Sequence, residues 1–305
     1  MSRIDEALRQ SSPGRTVASS TPVTTADASI AVPDALLDQY PQEEGRRPPK
    51  PIAPIARKPE HSRHHPERHP AEPVLSVSTD EEIAGKLVVS PLASSIYVEQ
   101  YRRLAAAVHE LQSVRPDVKT LLVTSALPKE GKTLTVTNLA LTLSESYRRK
   151  VLLIDADLRR PSIHKLLNVP NAQGLSDALR SDRVPLPMHQ VSAYLCVIPA
   201  GRADNDPMGF LASERMKHVI EKAAAGFDCV LIDTPPAGIL PDAGILAGVA
   251  HGVLFVVAAG STPYNLVERA VSELGRDLIV GTVMNRIEGH RIPATDYYRD
   301  YETVV

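Results

Sequence analysis

A lysine, a threonine and three aspartates stand at positions suited to phosphate and metal chemistry. The segment L-L-V-T-S-A-L-P-K-E-G-K-T-L, residues 121–134, places Gly131, Lys132 and Thr133 between an apolar run and a helical pattern. At such a junction the backbone N–H groups and the helix dipole attract an anion. The lysine then reaches terminal phosphates, and the hydroxyl holds Mg²⁺. The segment predicts a site for a magnesium-bound triphosphate.

The match to the usual phosphate-loop pattern is incomplete, because Ala126 stands where the first glycine belongs. The alternative is a polar strand-to-helix turn with a solvated lysine. The flanking strand and helix patterns favour the phosphate loop. Lys129, Glu130 and Leu134 are predicted to complete this nucleotide-binding segment.

The aspartates follow two further apolar runs. Asp155 and Asp157 come after residues 152–154, and Asp233 comes after residues 230–232. In an open α/β sheet, ligands bind beyond the carboxyl ends of the strands, so all three carboxylates are expected beside Lys132. One aspartate at a strand end is more often a turn or a helix cap. Three of them beside G-K-T favour a site for Mg²⁺, which prefers oxygen ligands and keeps several waters.

The elements that must position these residues alternate along the chain. Continuous apolar strands between amphipathic helices predict an α/β fold, a mostly parallel sheet flanked by helices on both faces. Strands are predicted at 120–125, 150–156, 195–199, 229–233, 252–258 and 279–285. Helices are predicted at 91–112, 133–147, 162–167, 175–181, 213–225, 242–249 and 266–274.

Composition excludes several classes of protein. The net charge of −2 and the pI of about 6.6 give no electrostatic case for binding nucleic acid. No apolar run reaches the roughly 18 residues that a membrane span requires. The first ten residues are charged and lack the apolar core of a secretory signal. The sequence therefore predicts a cytoplasmic protein that reaches a membrane only through a partner.

Three regions are predicted: an arm at 1–80, a folded domain at 81–290 and a tail at 291–305. The arm holds twelve of the 26 prolines and a short histidine-rich tract. Its composition predicts disorder. The tail carries three of the nine tyrosines, Tyr297, Tyr298 and Tyr301, without apolar periodicity. A mobile tail of this kind could present its phenol groups to an active site; the alternative is that these are ordinary surface tyrosines.

In combination, G-K-T, I-D-A-D-L-R-R-P and L-I-D-T-P-P resemble the bacterial tyrosine kinases of polysaccharide export, P-loop ATPases related to MinD and ParA. The resemblance covers about residues 90–286. It implies ATP and Mg²⁺ as cofactors, with Lys132 and Thr133 as the Walker A ligands. It implies that Asp155 activates the tyrosine hydroxyl and that Asp155 and Asp157 both lie near the metal. It also implies that Asp233 is the Walker B acid, which holds Mg²⁺ through water.

The resemblance also assigns two residues beyond the metal. Asn285 is similar to the asparagine that reads the adenine edge, and Arg159 would lie near the phosphates. The alternative for Arg159 is a structural ion pair. The implied activity is autophosphorylation of the tail tyrosines in trans, which regulates exopolysaccharide or capsule polymerisation and export.

The resemblance implies three kinds of partner. They are a separate membrane polysaccharide co-polymerase (chain-length determinant) as activator, further copies of the same chain, and a cognate tyrosine phosphatase. The family's oligomer-forming helix often reads E-x-x-R-x-x-R; Glu99 and Arg102 fit, but Ala105 replaces the last arginine.

Two other functions remain open at this point. One is a ParA- or MinD-like ATPase that positions a partner without kinase activity. Leu127, at the place of the signature lysine of MinD-type loops, argues against it. The other is a non-catalytic subunit whose arm tethers an export complex.

Overall fold

The computed structural model describes residues 81–181, 184, 186–204 and 206–287. The predicted disordered arm at 1–80 and the tail with Tyr297, Tyr298 and Tyr301 lie outside the described residues.

Seven strands form one sheet in the order β3-β4-β2-β5-β1-β6-β7. Every neighbouring pair is parallel except β3 and β4, which are antiparallel. The strands are β1 Thr120–Ser125, β2 Val151–Asp155, β3 His189–Gln190, β4 Leu195–Ile198, β5 Cys229–Asp233, β6 Gly252–Ala258 and β7 Ile279–Asn285. The predicted fold class, a mostly parallel α/β sheet, is confirmed.

Helices α1 and α2 precede β1, and the other helices lie in the connections between successive strands. They are α1 Glu81–Ala84, α2 Ser95–Val114, α3 Lys132–Glu145, α4 Ile163–Leu166, α5 Leu175–Arg180, α6 Met208–Leu211, α7 Glu214–Gly226, α8 Asp242–Ala247 and α9 Tyr264–Leu274. A 3₁₀ turn, Arg276–Leu278, precedes β7.

Both faces of the sheet are covered, as continuous apolar strands require. Alternate residues of β1 point to opposite sides, so Leu122 packs in one core and its neighbours Leu121 and Val123 pack in the other. The first core takes residues from α5 to α9, including Leu246 of α8. The second takes residues from α2 to α4, including Leu139 of α3. Each core buries one period-2 face of the same strands.

Some element boundaries differ from the prediction, because they depend on features that an apolar period does not reveal. The helix predicted at 91–112 begins only at Ser95, because the Ser94 side chain accepts a hydrogen bond from the Tyr97 amide at 3.3 Å and caps it. Leu92 therefore lies outside the helix and is 65% exposed. The short elements β3 and α6 were not predicted, since two and four residues are too few to show a period.

Candidate functional site

The predicted phosphate loop joins β1 to α3 at the carboxyl edge of the sheet. Two of its residues have left-handed backbone conformations, Lys129 with φ 65° and Gly131 with φ 93°. Lys132 begins α3, a helix of 14 residues, so the first amides of that helix lack partners within it. Thr133 and Leu134 are half-buried in the first turn. This arrangement can hold an anion at the helix start.

Glu130 turns its carboxylate away from the loop surface and into the protein. It is 3% exposed and accepts hydrogen bonds from the amides of Leu127 (2.6 Å) and Ala258 (3.3 Å) and from the Thr262 hydroxyl. Its backbone carbonyl accepts a hydrogen bond of 2.8 Å from Asn285 Nδ2. Glu130 can therefore contact a nucleotide only through its backbone.

Asn285 lies at the end of β7, directly against this loop. A Cβ atom on Gly131 would come within 2.0 Å of Asn285 Nδ2. The Asn285 Oδ1 atom accepts from the Arg286 amide at 2.9 Å, which leaves one lone pair for a second donor. The predicted adenine-reading residue is therefore also a support of the phosphate loop.

Two carboxylates stand side by side at the strand ends. Asp155 of β2 and Asp233 of β5 are partners in the parallel register. Asp155 Oδ2 accepts the amides of Ser162 and Ile163, both at 3.1 Å. Among the described residues, Asp155 Oδ1 and both Asp233 oxygens are buried without a hydrogen-bond partner. Buried, unsatisfied carboxylate oxygens are costly unless a cation or donor reaches them.

Burial governs the protonation of this pair. Burial raises the pKa of Asp233 from 3.8 to about 6, against the opposing effects of the Lys132 charge and the Thr133 side chain. Burial, with the nearby Asp233 charge, also raises the pKa of Asp155 well above its usual value. A bound divalent cation would reverse this balance, because it favours the ionised carboxylates.

The lysine and the third aspartate complete the site. Lys132 Nζ lies 3.6 Å from Asp157 Oδ2, and both side chains are nearly buried. Asp157 Oδ1 accepts the Arg160 amide at 3.0 Å, which fixes the carboxylate at the end of β2. The loop after β2 therefore brings a carboxylate to the amine predicted to bind phosphate.

These donors fit Mg²⁺, which takes oxygen ligands and keeps several waters. Among the described residues, no group of three or more His, Cys, Asp or Glu side chains is placed so that it could hold a metal ion. Asp233 and Asp155, with the Thr133 hydroxyl, would therefore share the ion with water and phosphate oxygens. That sharing is typical of sites in which magnesium arrives with a nucleotide.

Arg159 forms a structural ion pair, the alternative to a contact with the phosphates. Its guanidinium donates to Asp242 through Nε at 2.7 Å and through Nη2 at 3.2 Å. Asp242, at the start of α8, is fully buried. This bidentate pair ties the loop after β2 to the segment after β5, and contact of Arg159 with phosphates stays a prediction. The sequence analysis did not single out Asp242, whose only signal was its place at a predicted helix start.

A cavity of about 400 Å³ lies between α2, α3 and β7, next to the phosphate loop. Tyr97, Tyr101 and Thr135 line it together with Asn285. Within the described part of the chain, the lining atoms Gln100 Nε2 and Thr135 Oγ1 are buried without hydrogen-bond partners. No sequence pattern pointed to this cavity, because its walls come from three separate elements.

The predicted oligomer-forming helix corresponds to α2. Glu99 forms ion pairs of 3.8 Å with both Arg102 and Arg103. Ala105 is fully buried in the core, so this position offers no outward side chain. Along the described residues, none of the helices has the length and apolar character of a membrane span.

Comparison with known proteins yields clear relatives. The chain is 34% identical over 213 residues to tyrosine-protein kinase YwqD of Bacillus subtilis, covering 68% of this chain and 88% of that protein. It is 30% identical over 209 residues to the succinoglycan biosynthesis transport protein ExoP of Rhizobium meliloti, covering 66% of this chain but 26% of that protein. No family model matches the chain.

Solved structures give the same likeness. The kinase domain of the Escherichia coli tyrosine kinase ETK superposes with a TM-score of 0.58 at 30% identity, covering 63% of this chain and 78% of that domain.

Proposed function

Because the chain belongs to the bacterial tyrosine-protein kinase family and is a protein-tyrosine kinase, we propose that it phosphorylates its own tail. The γ-phosphate of ATP would pass to Tyr297, Tyr298 and Tyr301 of a neighbouring copy. The tail supports this proposal by its composition, since three of nine tyrosines fall in its last fifteen residues. The family resemblance of the sequence motifs implies the same activity.

One observation carries the proposal: an amine and three carboxylates from separate elements converge at one sheet edge. Lys132 lies 3.6 Å from Asp157, and Asp155 neighbours Asp233 across the sheet. The buried oxygens of Asp233 have no hydrogen-bond partner among the described residues. Such oxygens are the expected ligands of a Mg²⁺ ion that accompanies ATP.

Each residue then has a defined task. The amides at the start of α3 and the Lys132 amine hold the β- and γ-phosphates. Thr133, Asp155, Asp157 and Asp233 would hold Mg²⁺ directly or through water, and the ion would supply charge neutralisation for the transferring phosphoryl group. Asp155 Oδ1 would accept the proton of the tyrosine hydroxyl as the hydroxyl oxygen bonds to the γ-phosphorus. The bond from that phosphorus to the β–γ bridging oxygen breaks, and ADP leaves.

The adenosine would occupy the cavity beside the loop. Gln100 Nε2 and Thr135 Oγ1 offer hydrogen-bonding atoms there, and the tyrosines Tyr97 and Tyr101 offer ring surface. The free lone pair of Asn285 Oδ1 faces a donor such as the adenine amino group. The volume of about 400 Å³ is within the range of small-molecule pockets.

The names of the relatives support a proposal for the cellular setting. ExoP is named for succinoglycan biosynthesis and transport. We therefore place this kinase in the control of exopolysaccharide or capsule polymerisation and export, at the cytoplasmic face of the membrane. A membrane polysaccharide co-polymerase would activate it, further copies would assemble with it, and a cognate tyrosine phosphatase would reverse its action.

The test is a phosphotyrosine map of the full chain incubated with Mg-ATP. Lys132→Met should abolish the label, and the triple change of Tyr297, Tyr298 and Tyr301 to Phe should remove most of it. Retention of the label in either protein would contradict the assignment. ATP turnover without phosphotyrosine would favour the MinD-like alternative.

A further inference from the structure

The phosphate loop has a backbone that needs outside support. Lys129 and Gly131 both adopt positive φ, 65° and 93°, on either side of Glu130. A non-glycine residue in this region is strained and persists only where the surroundings hold it. The residue between these two positions is therefore well placed to fix the whole loop.

The Glu130 carboxylate makes that attachment from inside. Within the loop it accepts the Leu127 amide at 2.6 Å, which closes the turn. Beyond the loop it accepts the Ala258 amide, at the end of β6, at 3.3 Å and the Thr262 hydroxyl from the turn that follows. With 3% exposure, these bonds are shielded from competing water.

We propose that Glu130 and Thr262 are positioning residues that join the phosphate loop to the turn after β6. The inference rests on the proposed function, because the loop is taken to hold the phosphates of ATP. Glu130 does not touch the nucleotide through its side chain. It sets the direction of the loop amides, and Thr262 anchors Glu130 to the sheet.

The turn after β6 thereby controls the affinity of the site. Displacement of Thr262 leaves the Ala258 amide as the remaining described donor to one oxygen of Glu130, and it weakens the hold of the other oxygen on the Leu127 amide. The loop amides then no longer converge on one anion. Loss of a hydrogen bond to a charged, buried group weakens ATP binding by roughly tenfold.

The test compares four full-length variants. Thr262→Val removes the hydroxyl at nearly constant volume, and Thr262→Ser keeps it. Glu130→Gln replaces one accepting oxygen with an amide group. Ser261→Ala is the matched control, since Ser261 is an exposed neighbour whose hydroxyl donates to the Ala258 carbonyl at 3.3 Å. Thermal unfolding of each nucleotide-free protein checks the fold.

Two measurements decide the proposal. The first is hydrogen exchange of the amides at 126–131 in the nucleotide-free protein, and the second is the dissociation constant for Mg-ATP by titration calorimetry. Thr262→Val and Glu130→Gln should speed the exchange and weaken ATP binding by roughly tenfold. Thr262→Ser and Ser261→Ala should match the unaltered protein.

An exchange rate and an ATP affinity unchanged by Thr262→Val would overturn the proposal. If Glu130→Gln fails to fold, Thr262→Val alone decides. Failure of the unaltered protein to bind ATP would contradict the proposed function instead. The exchange of the loop amides would then decide the positioning role without nucleotide.

Discussion

Replacement of Asp233 by asparagine should stabilise the nucleotide-free protein. Asp233 is fully buried, and its two oxygens have no hydrogen-bond partner among the described residues. Burial raises its pKa from 3.8 to about 6. Near neutral pH the ionised carboxylate therefore lowers the stability of the folded state relative to a neutral side chain. Asparagine has nearly the same shape and no charge.

The magnitude follows from that shift. A rise of about two pKa units corresponds to about 3 kcal/mol of folding free energy at a pH above both values. Asp155 shares the burial and the mutual repulsion, so we expect Asp233→Asn to gain about 1 to 3 kcal/mol at pH 7.5. The variant should lose Mg-dependent phosphorylation, which would make this a trade of activity for stability.

The stability gained by Asp233→Asn depends on pH in a definite direction. Below about pH 4 the carboxyl is protonated in both the folded and the unfolded state, so it does not lower the free energy of unfolding. Between about pH 4 and pH 6 the unfolded chain ionises first, so stability falls as the pH rises. The advantage of Asp233→Asn should therefore grow through this window and become constant above it.

The assay is urea unfolding without nucleotide, in the presence of a chelator, at about pH 4.5 and pH 7.5. Asp242→Asn is the matched control, because Asp242 is equally buried but bound by Arg159 in a bidentate pair. The same chemical change there should destabilise. A neutral or destabilising effect of Asp233→Asn at pH 7.5, or an equal gain at both pH values, would refute the reasoning.

Three further changes give independent checks. Gly131→Ala should cost about 1 to 3 kcal/mol and weaken ATP binding, because φ is 93° there and a Cβ would collide. Asn138→Ala should cost about 3 kcal/mol, because the Asn138 amide makes three hydrogen bonds of 2.9 Å to the segment 86–88 and to Tyr97. Arg159→Ala should cost about 2 kcal/mol without nucleotide, because it leaves a buried carboxylate unpaired.

Thermal unfolding and ATP titration measure all three. Gly244→Ala is the control for Gly131→Ala, because a Cβ there meets no atom within 4 Å in helix α8; it should stabilise slightly. Equal effects of the two glycine changes would contradict the loop argument. An Arg159→Ala protein of normal stability but weak ATP binding would favour the phosphate role over the ion pair.

Local patterns were sufficient for most of the architecture. Six strands were predicted within one or two residues of their observed limits, because each is a continuous apolar run bounded by a turn. The helix after the phosphate loop was predicted to bury one face with Val136, Leu139 and Leu143. These residues are buried, but so is every residue from 135 to 144, because the helix is covered on all sides. The start of α2 was predicted too early, since an apolar period does not reveal a serine cap.

The sequence by itself determined the loop, the strand ends and the identity of the charged residues beside them, because these features depend on neighbours along the chain. Only the tertiary structure decided which residues meet. The order β2-β5-β1 puts Asp155 next to Asp233, and the end of β6 captures the carboxylate of Glu130. Arg159 pairs with Asp242, which lies 83 residues away along the chain, rather than pointing into solvent. Strand order and side-chain direction are properties of the packed sheet, and a periodicity shows only which face of an element is buried.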